Sequence, residues 1–397
     1  MAPIAMVLAG SKNTNRVGSL ILLSALASAT RPSAAGDLAT QYRQALSRLV
    51  PVPVRHRAEI EAFLRARNLA RKYSSWTPVE TQDWLLSDPR LPSGTGSERE
   101  DVRPAVGLAS ALQVLWPQNL QRSWLGGLLV REAPDALTGL QSGDRSRNPF
   151  VLTPRLRLVG TWMLLRADWV FMDFLVRHLR DTDRCSITGL IPVVSATFQN
   201  WVGELQERYP QAPNAPTLAA LRRKAALLSR PVGGRARVAG AVTEQTMRRE
   251  FEELLMWRLE LLVDLGFLSK SNRLALEYRV LPRMTELAAV LADASEGLFN
   301  GLFSRTIGRE ATADSSVILD ALAVAATTAK NAMGYSVIEE SVLLANLAAL
   351  EDPTLPVLEV RKAMDVLRQG SQASWRVVTS VDRDRVLSAY KLVPIRA

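Results

Sequence analysis

One cysteine, Cys185, in 397 residues leaves no internal disulfide and no zinc site built on thiolates. Histidine is nearly as scarce. His56 and His178 are far apart and lie among arginines, so they read as surface or helix-end residues rather than metal ligands. Aromatic residues reach only 6%, while alanine and leucine abound, a balance that favours helices. The recurring catalytic signatures are missing too. The glycines near 93–100 lack the Lys-Ser/Thr that completes a phosphate loop, and no G-x-S-x-G elbow, H-E-x-x-H pair or kinase set occurs. Glu351 and Asp352, with Glu359 and Arg361 further on, faintly resemble the carboxylate cluster of a metal-dependent nuclease. Their helical periodicity and the arginine in place of lysine argue against it. Pairings of Arg166 with Asp168, or of Asp181 with Asp183, read as helix-end charges and surface salt bridges. No enzyme, metal or cofactor is expected.

Long apolar runs are missing as well. Val17 to Ala29, preceded by Lys12 and Arg16, has the charge, apolar stretch and small residues of a secretory signal in order. At thirteen residues it is too short to span a bilayer. The rest of the chain favours reading it as a buried helix in a cytoplasmic protein with no membrane partner.

What the chain has in excess is arginine. Lysine and arginine together number 49 against 39 acids, a net charge of +10, and only seven of the 49 are lysine. A GC-rich coding sequence would also favour arginine over lysine, but it explains the excess of bases over acids less well. Guanidinium forks match phosphate oxygens, so a basic balance of this kind suits nucleic acid. Between Glu207 and Glu244 no acid occurs, and this interval holds Arg208, Arg222, Arg223, Lys224, Arg230, Arg235 and Arg237, the last three in or beside a glycine-rich stretch. The competing reading is a solvated loop whose charge keeps the protein soluble.

Periodicity divides the chain. Residues 1–137 read as a helical N-terminal region and 138–189 as a helical core segment, with loops over 87–104 and 138–149. Pro154 suits the first turn of a long helix, along which Leu156, Val159, Met163, Phe171 and Leu175 form a wide apolar band. Trp162, Trp169 and Phe171 sit at helical spacing, which marks core rather than a base-stacking platform. From Met247 to Leu265 apolar residues recur at three- and four-residue steps, and Gly266 falls where a helix C-cap tolerates positive φ. Leu274, Leu276, Tyr278 and Val280 then alternate with Arg273, Ala275, Glu277 and Arg279, which is strand periodicity.

Helix, Leu-Gly-Phe-Leu, short ribbon and helix resembles the C-terminal half of a winged-helix domain. Three helices over Val317 to Arg368, then strands over Trp375 to Ser380 and Val386 to Leu392, repeat the layout. The expected fold is therefore mainly α: a multi-helical N-terminal half followed by two winged-helix-like units with short β-hairpins, at 190–296 and 314–397. The resemblance implies a non-enzymatic DNA-binding protein in which the third helix enters the major groove and the ribbon tip reaches phosphates. On that basis the first unit offers Arg248, Arg249, Lys270 and Arg273, beside the cluster above. The second offers Arg361, Lys362, Arg368, Arg383 and Arg385, diluted by Asp365, Asp382 and Asp384. Double-stranded DNA is the expected partner, with protein partners or a second copy of the chain. The alternative is a protein-binding scaffold within a larger assembly of the chromosome-organising type.

Overall fold

The computed structural model describes residues 16–47, 102–116, 118–138, 149–208, 255–270, 277–292, 315–328, 336–352, 375–381 and 388–394, with a few single residues between 354 and 366. These are mostly helical, with two small antiparallel sheets. Among them, no helix is long and apolar enough to cross a membrane.

The apolar run near the N-terminus forms helix α1, Val17–Leu26, and its residues from Val17 to Ser24 are all buried. Its neighbours are α2 (Ala35–Ser47), α3 (Val102–Ala111) and α4 (Trp124–Glu132), which close around it as a small helical layer. A helix apolar on every side has to be surrounded in this way. Helix α4 begins at Ser123, whose hydroxyl accepts from the Gly126 amide at 3.1 Å.

Glycine inside a helix normally weakens it, so Gly126→Ala would ordinarily stabilise. Here a Cβ would stand 2.4 Å from the Val114 carbonyl oxygen, a backbone atom, and 3.2 Å from the Ser24 hydroxyl. Alanine at 126 is expected to cost about 1–3 kcal/mol, read as a lower urea midpoint with an unchanged slope. A midpoint that rises would show that α4 is not packed this closely against Val114.

The central element is α5, Pro154–Leu179, with Pro154 in the first turn as its sequence position predicts. Thr153 caps it, accepting from the Leu156 amide at 3.2 Å. Trp162 and Phe171 are fully buried, as their spacing requires. At Asp168 the backbone leaves helical geometry (φ −137°, ψ 26°) and the helix kinks. Strand β1 (Arg184–Ser186) and helix α6 (Ile187–Arg208) follow. A helix α7, described over 255–264, then leads through Gly266 at φ +80° into β2 (Leu268–Lys270), β3 (Glu277–Val280) and α8 (Arg283–Ala292). The φ of Gly266 is the left-handed conformation read from its position in the sequence.

The first sheet has the order β1-β3-β2, all antiparallel. Strand alternation is as expected where it is described. Tyr278 points inward and is fully buried, its hydroxyl donating to Glu260 on α7 at 2.7 Å, while Glu277 and Arg279 face out. Residues 184–186 fall outside the 190–296 range expected for this unit, yet they pair with its ribbon. Three residues are too few for an alternating pattern, which is why the sequence hid the strand.

The second unit runs α9 (Ser315–Thr328), β4 (Ser336–Val337), α10 (Ile338–Glu351), β5 (Trp375–Val381) and β6 (Ser388–Pro394). Its sheet order, β4-β6-β5, repeats that of the first: the short strand that precedes a helix pairs with the last strand. Buried Asn346 grips the segment after α10, donating to the Leu358 carbonyl at 2.8 Å and accepting from its amide at 2.9 Å. Arg155 of α5 ties the unit to the body. It forks onto Glu132, donates to the Leu347 carbonyl at 2.7 Å, and pairs with Glu351 at 2.9 Å. Glu351 is thus half of a structural ion pair. Asp352 accepts from the amide and hydroxyl of Thr354, which closes the end of α10.

Candidate nucleic-acid interface

A phosphate-binding surface needs cations that the protein does not consume internally. The arginines therefore divide by partner. Arg16, Arg155, Arg177, Arg180 and Arg258 each contact a carboxylate, of Asp264, Glu132, Asp173, Asp181 and Asp168 respectively. The Arg180–Asp181 pair is exposed, as the sequence reading of such acids expects. Asp168 departs from that reading. It is completely buried, and its carboxylate takes both ends of the Arg258 fork, one of them at 2.9 Å. The Arg258 guanidinium lies 3.9 Å from the Phe171 ring centroid and 4.2 Å from that of Trp257. The kink in α5 is where this acid turns to meet α7. A pairing across 90 residues leaves no periodic mark, so the sequence could only offer the acid as a surface charge.

Arg184 on β1 and Arg279 on β3 are of the other kind. They stand directly opposite each other in the sheet register, both exposed, with Ser269 of β2 on the far side of Arg279. Neither has a carboxylate partner among the described residues. Directly opposed like charges weaken a strand pair, so this placement is unfavourable for the sheet alone. An anion spread over the outer face would offset it. Glu277, opposite Ser186, is the one acid in the described part of this face.

Of the cations put forward from sequence, Lys270 lies in β2, its backbone opposite Tyr278. Arg222, Arg223, Lys224, Arg230, Arg235, Arg237, Arg248, Arg249, Arg273, Arg361, Lys362, Arg368, Arg383 and Arg385 lie outside the described residues. The ribbon therefore adds Arg184 and Arg279, which the sequence reading left out. Arg279 was visible there as an outward strand residue, whereas Arg184 gained its place only through the long-range pairing of β1.

The remaining chemistry is sparse. Burial pushes the Cys185 thiol up to about 12, so it stays protonated and unreactive at neutral pH. His178 is held between the Phe174 carbonyl at 2.8 Å and the Thr197 hydroxyl at 3.3 Å, its ring against that of Phe174. This is the helix-surface role its sequence context indicates. Among the described residues no group of histidine, cysteine and acidic side chains is placed to hold a metal ion.

Comparison with known proteins adds no relative: no family model, no curated protein and no solved structure matches this chain.

Proposed function

We propose that the chain is a non-enzymatic, cytoplasmic DNA-binding protein whose two ribbon-bearing units are winged-helix modules that contact duplex DNA chiefly through its phosphates. The observation that carries the reading is the repeated topology. Helix, short strand, helix and terminal ribbon occur twice, and in each unit the short strand pairs with the last strand to give the same sheet order. Two units of one design in a chain of net charge +10 suit a ligand that is itself periodic and polyanionic. The Arg184–Arg279 face supports the first ribbon as a phosphate contact. A place as an accessory or targeting subunit of a DNA-processing, replication or defence complex fits the scarcity of catalytic motifs.

The test is duplex affinity as a function of salt. Log affinity is expected to fall linearly with log salt concentration, and Arg184→Gln or Arg279→Gln to reduce the slope by about one each. Binding that is absent at low salt, or indifferent to salt, rejects the proposal.

A specific observation favours a second reading for the second unit. Val317 and Val324, seven residues apart on one side of α9, are exposed, Val324 at 71%. Such a face suits a protein partner, as in a scaffold of the chromosome-organising type. Reversing the charge of Arg235 and Arg237 separates the two. DNA association that survives the reversal favours the scaffold.

A further inference from the structure

We propose that Arg157 and Arg283, converging on Gly266, form a binding site for a phosphate-class oxyanion. The Nη1 atoms of both side chains lie 3.4 Å from the point that a Cβ on Gly266 would occupy, so they are separated by no more than twice that distance. Two guanidiniums at such a spacing can donate to different oxygens of one tetrahedral anion, with donor–acceptor distances of about 2.8 Å. The forks of Arg155 and Arg258 are filled from within, by Glu132 and Asp168. Arg157 differs. Its Nε is shielded from solvent and meets no acceptor among the described residues.

Purely structural roles do not account for the pair. A cation near the C-terminus of α7 is favoured by the helix dipole, and its last carbonyls want donors. The carbonyls of Leu262 and Val263 are already served by backbone. The Phe267 amide donates to Leu262 at 2.9 Å and the Gly266 amide to Val263 at 3.1 Å, the bonding of a glycine-terminated helix. Arg283 also lies over Phe267, 5.2 Å from the ring centroid, which fixes its stem but does not neutralise its charge. Its pKa is lowered, first by burial, while the field of Glu286 raises it and the smaller repulsion of Arg157 lowers it. Glu286 acts on Arg283, and the half-buried Arg157, with its unbonded Nε, has room for a further anion. Gly266 keeps the space between the two guanidiniums open, because any side chain there would enter it.

The site stands on its own geometry and does not depend on the DNA-binding reading. Its phosphate could be a free anion or part of a nucleic-acid backbone, and the experiment has an arm for each. Titration of the full chain with inorganic phosphate, at ionic strength held constant with chloride, is expected to show saturable binding. Arg157→Gln and Arg283→Gln are each expected to weaken it about tenfold or more. Arg157→Lys, which keeps the charge but loses the fork, retains part of the affinity and serves if the glutamine variants fail to fold. Wild type that distinguishes no phosphate from chloride, or a double variant that binds phosphate as wild type does, overturns the site. Phosphate binding lost in the variants supports it whichever way the duplex arm falls. Duplex affinity lowered in parallel identifies a nucleic-acid backbone as the source, and unchanged duplex affinity identifies a free anion.

Discussion

Asp168→Ala is expected to destabilise the protein by about 3–5 kcal/mol, because it strands a buried guanidinium. Asp168 and Arg258 are both completely buried and joined through both oxygens of the carboxylate. Removing the acid leaves Arg258 packed against Phe171 and Trp257 with its principal counter-charge gone. Aromatic faces attract a guanidinium by only about 1–2 kcal/mol, too little to replace a carboxylate. Replacing the pair together, Asp168→Leu with Arg258→Met, is expected to recover most of the loss, since an apolar pair of suitable volume avoids the desolvation of two ions. Urea denaturation of the single and double variants measures both. If the single variant unfolds at the wild-type midpoint, the pair is not the link between α5 and α7 described above.

The second large effect is expected at Asp264. This buried acid accepts from Arg16 Nε at 3.2 Å and from the Val17 amide at 2.8 Å. It therefore balances the arginine and caps helix α1 from a helix far away in sequence. The first amides of a helix have no partner within it, and a carboxylate at that end also suits the helix dipole. Arg16 donates further to the Phe150 carbonyl at 2.9 Å and lies over that ring. Asp264→Ala is expected to cost about 3–5 kcal/mol, again by leaving a buried cation uncompensated. Asp264→Asn keeps an acceptor for the Val17 amide and is expected to cost less. Hydrogen exchange separates this from a general loss of stability. The amides of 17–26 are expected to exchange faster in Asp264→Ala than those of α10, which belongs to the second unit. Equal acceleration in both helices would mean that Asp264 does not anchor α1 in particular.

These acids mark the limit of what could be read from the chain. The wide apolar band from Leu156 to Leu175 announced a helix inside the protein, and Trp162 and Phe171 proved to be core. Pro154 and Gly266 carried their positions openly, because the first turn and the left-handed cap each admit few residue types. The strands over 375–381 and 388–394 were expected within two residues of their observed starts. Arg16 was legible only as a basic residue ahead of an apolar run, and nothing in the local pattern singled out Asp264.

Local periodicity, cap chemistry and charge balance thus determined the mainly helical fold, the ribbons and the basic character of the protein. These depend on neighbours a few residues apart, which sequence order fixes directly. Tertiary structure alone decided which arginines are spent. Arg16 and Arg258 are consumed by acids 248 and 90 residues away, while β1 places Arg184 beside Arg279 and the end of α7 draws Arg157 to Arg283. An ion pair has no period, so which cations are paired and which are left for binding is decided by the fold.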